Sequence, residues 1–198
     1  MKVGVLALQG DVREHVSALI ACGVTPISVR RSVELDLIDA LVLPGGESTT
    51  IAQLSEVFGI YDQIKDRIVQ GMPVYGSCAG MILLANEILD AKQGQKSFGG
   101  LDITVRRNAF GRQVDSFESD IAFDDGSAEL LRAVFIRAPW VERVGKGVQV
   151  LASVDKHPVA VRSQTLLATS FHPEITGDHR IHRYFIEEVA RPALEKVK

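Results

Sequence analysis

Cysteine is scarce: Cys22 and Cys78 are the only two in 198 residues. That is too few for a disulfide framework or a thiolate metal site, and no residue set predicts a metal or a cofactor. No apolar run approaches the ~20 residues of a membrane span. Blocks of like charge are also missing. With 22 basic against 25 acidic residues and a net charge of −3, the chain lacks the electrostatic footprint of a nucleic-acid binder. The pairs Arg30-Arg31 and Arg106-Arg107 read as solvated surface. Neither phosphate-binding glycine pattern, G-x-x-x-x-G-K-[ST] or G-x-G-x-x-G, occurs. There is no repeat, low-complexity segment or linker.

What is present is the balance of an ordinary folded chain, 46% apolar and 24% charged. A chain of this length can bury roughly 70% of the surface it exposes when unfolded, so it needs no covalent staples. One domain over residues 1–198 is the economical reading. Polar residues follow Met1 to Leu8 at once, which predicts a buried first strand rather than a leader, and a cytoplasmic protein.

Apolar runs alternate with helical periods, the pattern of an α/β fold: a mostly parallel central sheet between helices on both faces. Val3 to Leu8, Thr25 to Arg30 and Ala40 to Leu43 read as strands. Asp11 and Glu14 have capping-box spacing for a first helix, whose apolar face is Val12, Val16, Leu19 and Ile20 and which Gly23 ends. Helices are expected from Thr49 and over Tyr61 to Gln70. A strand begins at Pro73 to Tyr75, followed by a buried helix over Met81 to Leu89. Leu101 to Val105 and Val134 to Ile136 read as short strands, and Val159 to Arg162 with Leu166 to Ser170 as a closing pair. A last helix opens near Asp178, carries Ile181, Tyr184, Phe185 and Val189 on one face, and is limited by Pro192.

Gly76-Ser77-Cys78-Ala79-Gly80 lies between an apolar strand and a helix. This is the nucleophile elbow, a sharp turn that lifts its central side chain above the sheet edge, here with cysteine in the nucleophile's place. The helix that follows favours thiolate. The Ala79 amide is placed for an oxyanion, with a second donor available from the Gly45-Gly46 loop. The same glycines also suit a buried structural cysteine in a closely packed turn, and the elbow alone leaves both readings open.

A nucleophilic cysteine needs a base, and the base an orienting acid. His172 in Phe171-His172-Pro173-Glu174 supplies both. The proline holds His172 extended, and residues two apart in an extended chain point to one side, which makes His172 and Glu174 neighbours. His157 also precedes a proline, but Val159 stands where the acid would be, and it reads as a turn residue. His179 and His182 read as solvated helix surface, His15 as an exposed or interface residue, and Cys22 as packing.

With these residues the chain resembles the class I, triad-type glutamine amidotransferases along essentially its whole length. Within them it closely resembles the glutaminase subunits of pyridoxal 5′-phosphate synthase. The family marks are Gly76-Ser77-Cys78-Ala79-Gly80 and Phe171-His172-Pro173-Glu174, with Ser77 where threonine is common. The narrower marks are Leu8-Gln9-Gly10-Asp11 with Glu14-His15, Pro44-Gly45-Gly46-Glu47-Ser48-Thr49-Thr50, Arg107-Asn108-Ala109-Phe110-Gly111-Arg112-Gln113 and Phe135-Ile136-Arg137-Ala138-Pro139.

The resemblance implies a nucleophile at Cys78, a base at His172 and its orienter at Glu174, with Gly46 and Ala79 as the oxyanion hole. It implies glutamine binding by Gly46, Glu47, Ser48, Arg107, Ile136 and Arg137. It also implies ammonia delivery to a separate synthase subunit, with Gln9, Asp11, Glu14 and His15 as interface elements. A glutaminase of another pathway, such as that of histidine, would keep the three residues and change the docking segment. A cysteine peptidase or γ-glutamyl hydrolase would share the elbow. A redox-sensing binding protein would not need His172 and Glu174 in register.

Overall fold

The computed structural model describes residues 1–107, 109 and 116–196. In chain order the elements are β1 (Lys2–Leu6), α1 (Val12–Ala21), β2 (Thr25–Val29), α2 (Ser32–Leu35), β3 (Ala40–Leu43), α3 (Ser48–Val57), α4 (Tyr61–Val69), β4 (Val74–Ser77) and α5 (Ala79–Leu84). There follow β5 (Ala85–Leu89), β6 (Leu101–Arg106), β7 (Ser116–Ile121), β8 (Leu131–Ile136), β9 (Trp140–Val144), β10 (Gln149–Val154), β11 (His157–Arg162) and β12 (Leu166–Thr169). After a short 3-10 turn at Pro173–Ile175 come α6 (Arg180–Tyr184), a π-helical stretch over Phe185–Ala190, and α7 (Arg191–Glu195).

Seven strands form the central sheet in the order β10-β11-β12-β4-β3-β1-β2. From β2 through β12 all neighbours run parallel, and the β12–β11 and β11–β10 pairings are antiparallel. Side chains alternate between two apolar layers. Leu6, Leu41, Leu43, Val74 and Ala168 join Ile51, Ile64 and Met81 of α3, α4 and α5. Val3, Val5, Ala40, Val42, Tyr75 and Leu167 face Leu19 of α1 and Ile181, Phe185 and Val189 of the C-terminal helix. A sheet apolar on both faces must be covered on both, which gives the expected three-layer α/β sandwich. Strands β5, β6 and β9 make a smaller sheet, and β7 and β8 a ribbon. Among the described residues no helix is long and apolar enough to cross a membrane.

Several local expectations are corrected. The helix expected over Met81 to Leu89 stops at Leu84, and Ala85–Leu89 is a strand beside β6. The amides of Phe98 and Gly99 both donate to the Leu83 carbonyl, so a distant segment takes the acceptor that another helical turn would have used. The capping box at Asp11 and Glu14 does not form, because the Asp11 carboxylate turns toward His172 instead. Pro192 does not end the last helix. The π-helical turn precedes it and Pro192 sits in the first turn of α7, where a missing N–H costs little. His157 opens strand β11 rather than sitting in a turn, and its ring stacks on Trp140 at 3.7 Å.

Candidate active site

Strand β4 delivers Cys78 to the carboxyl edge of the sheet. Its backbone there has φ 48° and ψ −99°, a left-handed conformation that a non-glycine residue adopts only under constraint from its surroundings. The constraint is packing. A Cβ on Gly76 would lie 2.4 Å from the Gly80 carbonyl carbon, and one on Gly80 would lie 2.3 Å from the Leu43 carbonyl oxygen. The Cys78 amide donates to the Thr169 carbonyl at 2.8 Å, tying the turn to the end of β12. The flanking glycines therefore do serve close packing, as the structural reading required. They also make possible a turn that directs Cys78 into a cavity.

That cavity measures about 350 Å³. Cys78 and Ala79 form one wall, Gly46, Glu47 and Ser48 another, and His172, Arg107, Ile136 and Arg137 further parts of its lining. All of the residues expected at the nucleophile, base, oxyanion and glutamine positions line it, and Glu174, the expected orienter, lies behind His172. The Cys78 sulfur is 3.9 Å from the Ile136 carbonyl oxygen. Arg137, like Cys78, has positive φ (44°).

His172 follows β12 and lines the same cavity as Cys78. Its Nδ1 lies 2.7 Å from Glu174 Oε1 and 3.4 Å from Asp11 Oδ2. Burial works against the charged imidazole. Even so, hydrogen bonds to Asp11, Cys78 and Glu174, with negative charge on the Cys78 sulfur, push His172 up to about 12. The bond to His172 holds the Asp11 carboxyl below its ordinary range against the opposing effect of partial burial. Asp11, His172 and Glu174 bring three donor atoms within 4.8 Å of one another, and a metal ion could be held there. The loop glycine is again what allows the approach, since a Cβ on Gly45 would lie 2.4 Å from His172 Cε1.

On the opposite wall, Glu47 accepts from Thr50 N at 2.8 Å and pairs with Arg107 at 2.9 Å. Burial would raise its pKa, but the Thr50 bonds and the charges of Lys92 and Arg107 hold it below the usual carboxylate range. The Arg107 side chain is only 8% exposed, which corrects its reading as solvated surface; Arg106 pairs with Asp90 and Glu142 at the surface. Of the Arg107 motif, Asn108 and Phe110 to Gln113 lie outside the described residues. Gly46 has φ 145°, and a Cβ there would lie 2.6 Å from Gln9 Oε1, the atom that accepts from Glu47 N at 2.8 Å.

Residues 5–191 match the model of the SNO glutamine amidotransferase family. The chain belongs to that family. It is 60% identical to "Pyridoxal 5′-phosphate synthase subunit PdxT" of Nocardia farcinica, over 94% of this chain and 85% of that one. It is also 60% identical to the protein of the same name from Mycobacteroides abscessus, over 94% and 96%. A crystal structure of a glutamine amidotransferase is 49% identical and superposes with a TM-score of 0.87, covering 93% of this chain and 97% of that one.

Against this family background, three features of the site had not been read from the sequence. Asp11 joins Glu174 on the Nδ1 side of His172. Gln95 places its carboxamide between Ser48 Oγ, to which it donates at 2.8 Å, and the Arg107 guanidinium. His15 and His182, expected at the surface or in an interface, are fully buried behind Glu174. No local pattern announced any of these, because each depends on contact between distant segments. His179, which caps α6, is half-buried, and Cys22 packs near its carbonyl.

Proposed function

We propose that this chain, as one amidotransferase domain over residues 1–198, is the cytoplasmic glutaminase subunit of a pyridoxal 5′-phosphate synthase. It hydrolyses L-glutamine and passes the ammonia to a separate synthase subunit. The observation that carries the chemistry is that His172 lines one cavity with Cys78 while its Nδ1 meets Glu174 Oε1 at 2.7 Å. The near full-length likeness to two proteins named as subunits of that synthase supports the narrower assignment.

In the first half of the reaction the Cys78 sulfur attacks the side-chain amide carbon of glutamine. Negative charge on the carbonyl oxygen is received by the amides of Gly46 and Ala79. Forming the sulfur–carbon bond removes the negative charge that kept the imidazole protonated, so His172 becomes a better acid as the leaving group needs its proton. Ammonia departs, leaving a thioester. Water then attacks the same carbon, His172 takes its proton, and glutamate leaves as the thiolate–imidazolium pair is restored. Glu174 and Asp11 hold Nδ1 protonated and Nε2 toward sulfur. Arg107 or Arg137 receives the substrate α-carboxylate, and Glu47 with the Ile136 carbonyl receives its α-ammonium.

Docking on the synthase falls to Gln9, Asp11 and Glu14, at the cavity and on the start of α1. His15 is removed from that surface by its burial. The test is to mix the chain with candidate synthase subunits and follow glutamate and pyridoxal phosphate together. Glutamate release that requires Cys78 and rises with one synthase supports the reading. Turnover that no synthase changes, or that survives in Cys78→Ala, would sink it.

A further inference from the structure

Behind the cavity lies a second layer of polar groups that the reaction above does not use. Glu174 turns Oε1 to His172, while its Oε2 is buried and has no hydrogen-bond partner. It faces His15 of α1, whose Nε2 lies 3.6 Å from that oxygen and 3.1 Å from Ser77 Oγ. The Nδ1 of His15 in turn meets His182 Nε2 from α6 at 2.8 Å. Both rings are fully buried and pack edge-on against Tyr75.

Two protons placed in this chain account for its direction. His15 Nε2 has Ser77 Oγ at 3.1 Å and the charge of Glu174 Oε2 at 3.6 Å; a proton on Nε2 donates to the hydroxyl and faces the carboxylate, which leaves Nδ1 an acceptor. His182 must then donate from Nε2, and its own Nδ1, buried and unpartnered, is a bare acceptor. An unmet acceptor costs less than an unmet N–H. Both N–H groups therefore run toward Glu174. Burial and the neighbouring imidazoles drive His15 well below its ordinary value, and burial with the His179 charge drives His182 down to about 3. The pair is neutral and cannot act as an ion partner. The groups facing Glu174 are His172 on one side and His15 on the other, with Tyr75 and Cys78 nearby.

We infer that His15, held by His182, is a positioning residue that fixes the carboxylate of Glu174 from behind, so that its front oxygen keeps His172 aimed at Cys78. This rests on the reading of Cys78, His172 and Glu174 given above.

The test compares His15→Gln with His15→Asn in the complex with the synthase subunit. A glutamine amide can reach the Nε2 position and retain the donor, whereas asparagine reaches only the Nδ1 position. Both are polar and smaller than imidazole, so a loss of packing alone affects them alike. The expected result is an asparagine variant with kcat down about tenfold, an unchanged KM for glutamine, and a glutamine variant that recovers most of the rate. His182→Leu, which removes the donor to His15 Nδ1, should reproduce the asparagine effect in part, again in kcat alone. Equal kcat in the two His15 variants would overturn the inference, as would a loss confined to KM. Cys78→Ala run alongside separates the two levels. If that variant still releases glutamate, the triad reading itself fails; if it is inactive while the His15 pair behaves alike, only the positioning role does.

Discussion

Two imidazole sites flank Glu174 and have opposite electrostatic fates. His172, at the cavity, has Asp11, Glu174 and Cys78 within hydrogen-bonding reach and is pushed up to about 12. The His15–His182 pair, a few ångströms deeper, has only one carboxylate oxygen beyond hydrogen-bond distance, and His182 is driven down to about 3. Both sites are buried, so burial by itself does not decide the charge of a histidine. The number of acidic partners that compensate lost hydration decides it. One side can carry and release a proton; the other supplies fixed, neutral donors.

The largest test of this contrast removes the partners of the charged side. Cys78→Ala or His172→Ala should lower glutamate release by at least about 10⁴-fold, since residues acting as one unit fail together. Circular dichroism should show an intact fold. Retained activity would dissolve the distinction between the two sites. Glu174→Gln keeps the shape but reverses the polarity at Nδ1, and a loss of up to about 10⁴-fold in kcat is expected by analogy with the orienting acid of other triads. A rate near wild type would mean that Asp11 does the orienting.

The neutral side should show itself in stability against pH. A native His182 at about 3 and an ordinary unfolded value near 6.5 mean that the unfolded chain binds the extra proton between those limits. Stability then rises with pH across that window and is lost as pH falls through it. His172 has the opposite sign: its contribution is complete below about 6.5 and declines as pH rises toward about 12. His182→Gln keeps an amide donor but cannot titrate. Denaturant titrations of this variant between pH 4 and 6, choices set by the window near the ordinary value of about 6.5, should show the acid slope reduced by up to about 1.4 kcal/mol per pH unit. An unchanged slope would place the titration elsewhere.

Gln95→Ala frees Ser48 and Arg107 of a shared partner. It should raise KM for glutamine about tenfold with kcat retained, the size of one lost hydrogen bond to a charged group. A fall in kcat instead would tie Gln95 to the reacting atoms. The smallest effect is expected at His157, the other histidine before a proline. His157→Ala should leave glutamine turnover unchanged and cost about 1 kcal/mol of stability through the lost stacking on Trp140.

Much of the site was legible because its signals are local. Gly76, Cys78 and Gly80 specify a sharp turn within five residues, and His172 and Glu174 do meet, although through a 3-10 turn at Pro173–Ile175 and not the extended stretch expected from the proline. Other features came from contacts between segments far apart in the chain. Asp11 had the spacing of a helix cap, but a carboxylate that can reach a cationic imidazole gains more there than at a helix amide. The apolar stretch after Cys78 had helical character throughout, yet Phe98 and Gly99 took the Leu83 carbonyl and turned Ala85–Leu89 into strand. His15 and His182 look like ordinary surface histidines on amphipathic helices. Only the packing of α1 and α6 on the same sheet face brings them, 167 residues apart, to 2.8 Å.

The amino-acid order alone determined the alternation of strands and helices, the turn at Cys78 and the pairing of His172 with Glu174, because backbone sterics and side-chain periodicity act over a few residues. The tertiary structure decided which histidine is charged, which carboxylates face it, and which glycines have no room for a side chain. Those depend on the desolvation and neighbours that a group meets only after the chain has closed around it.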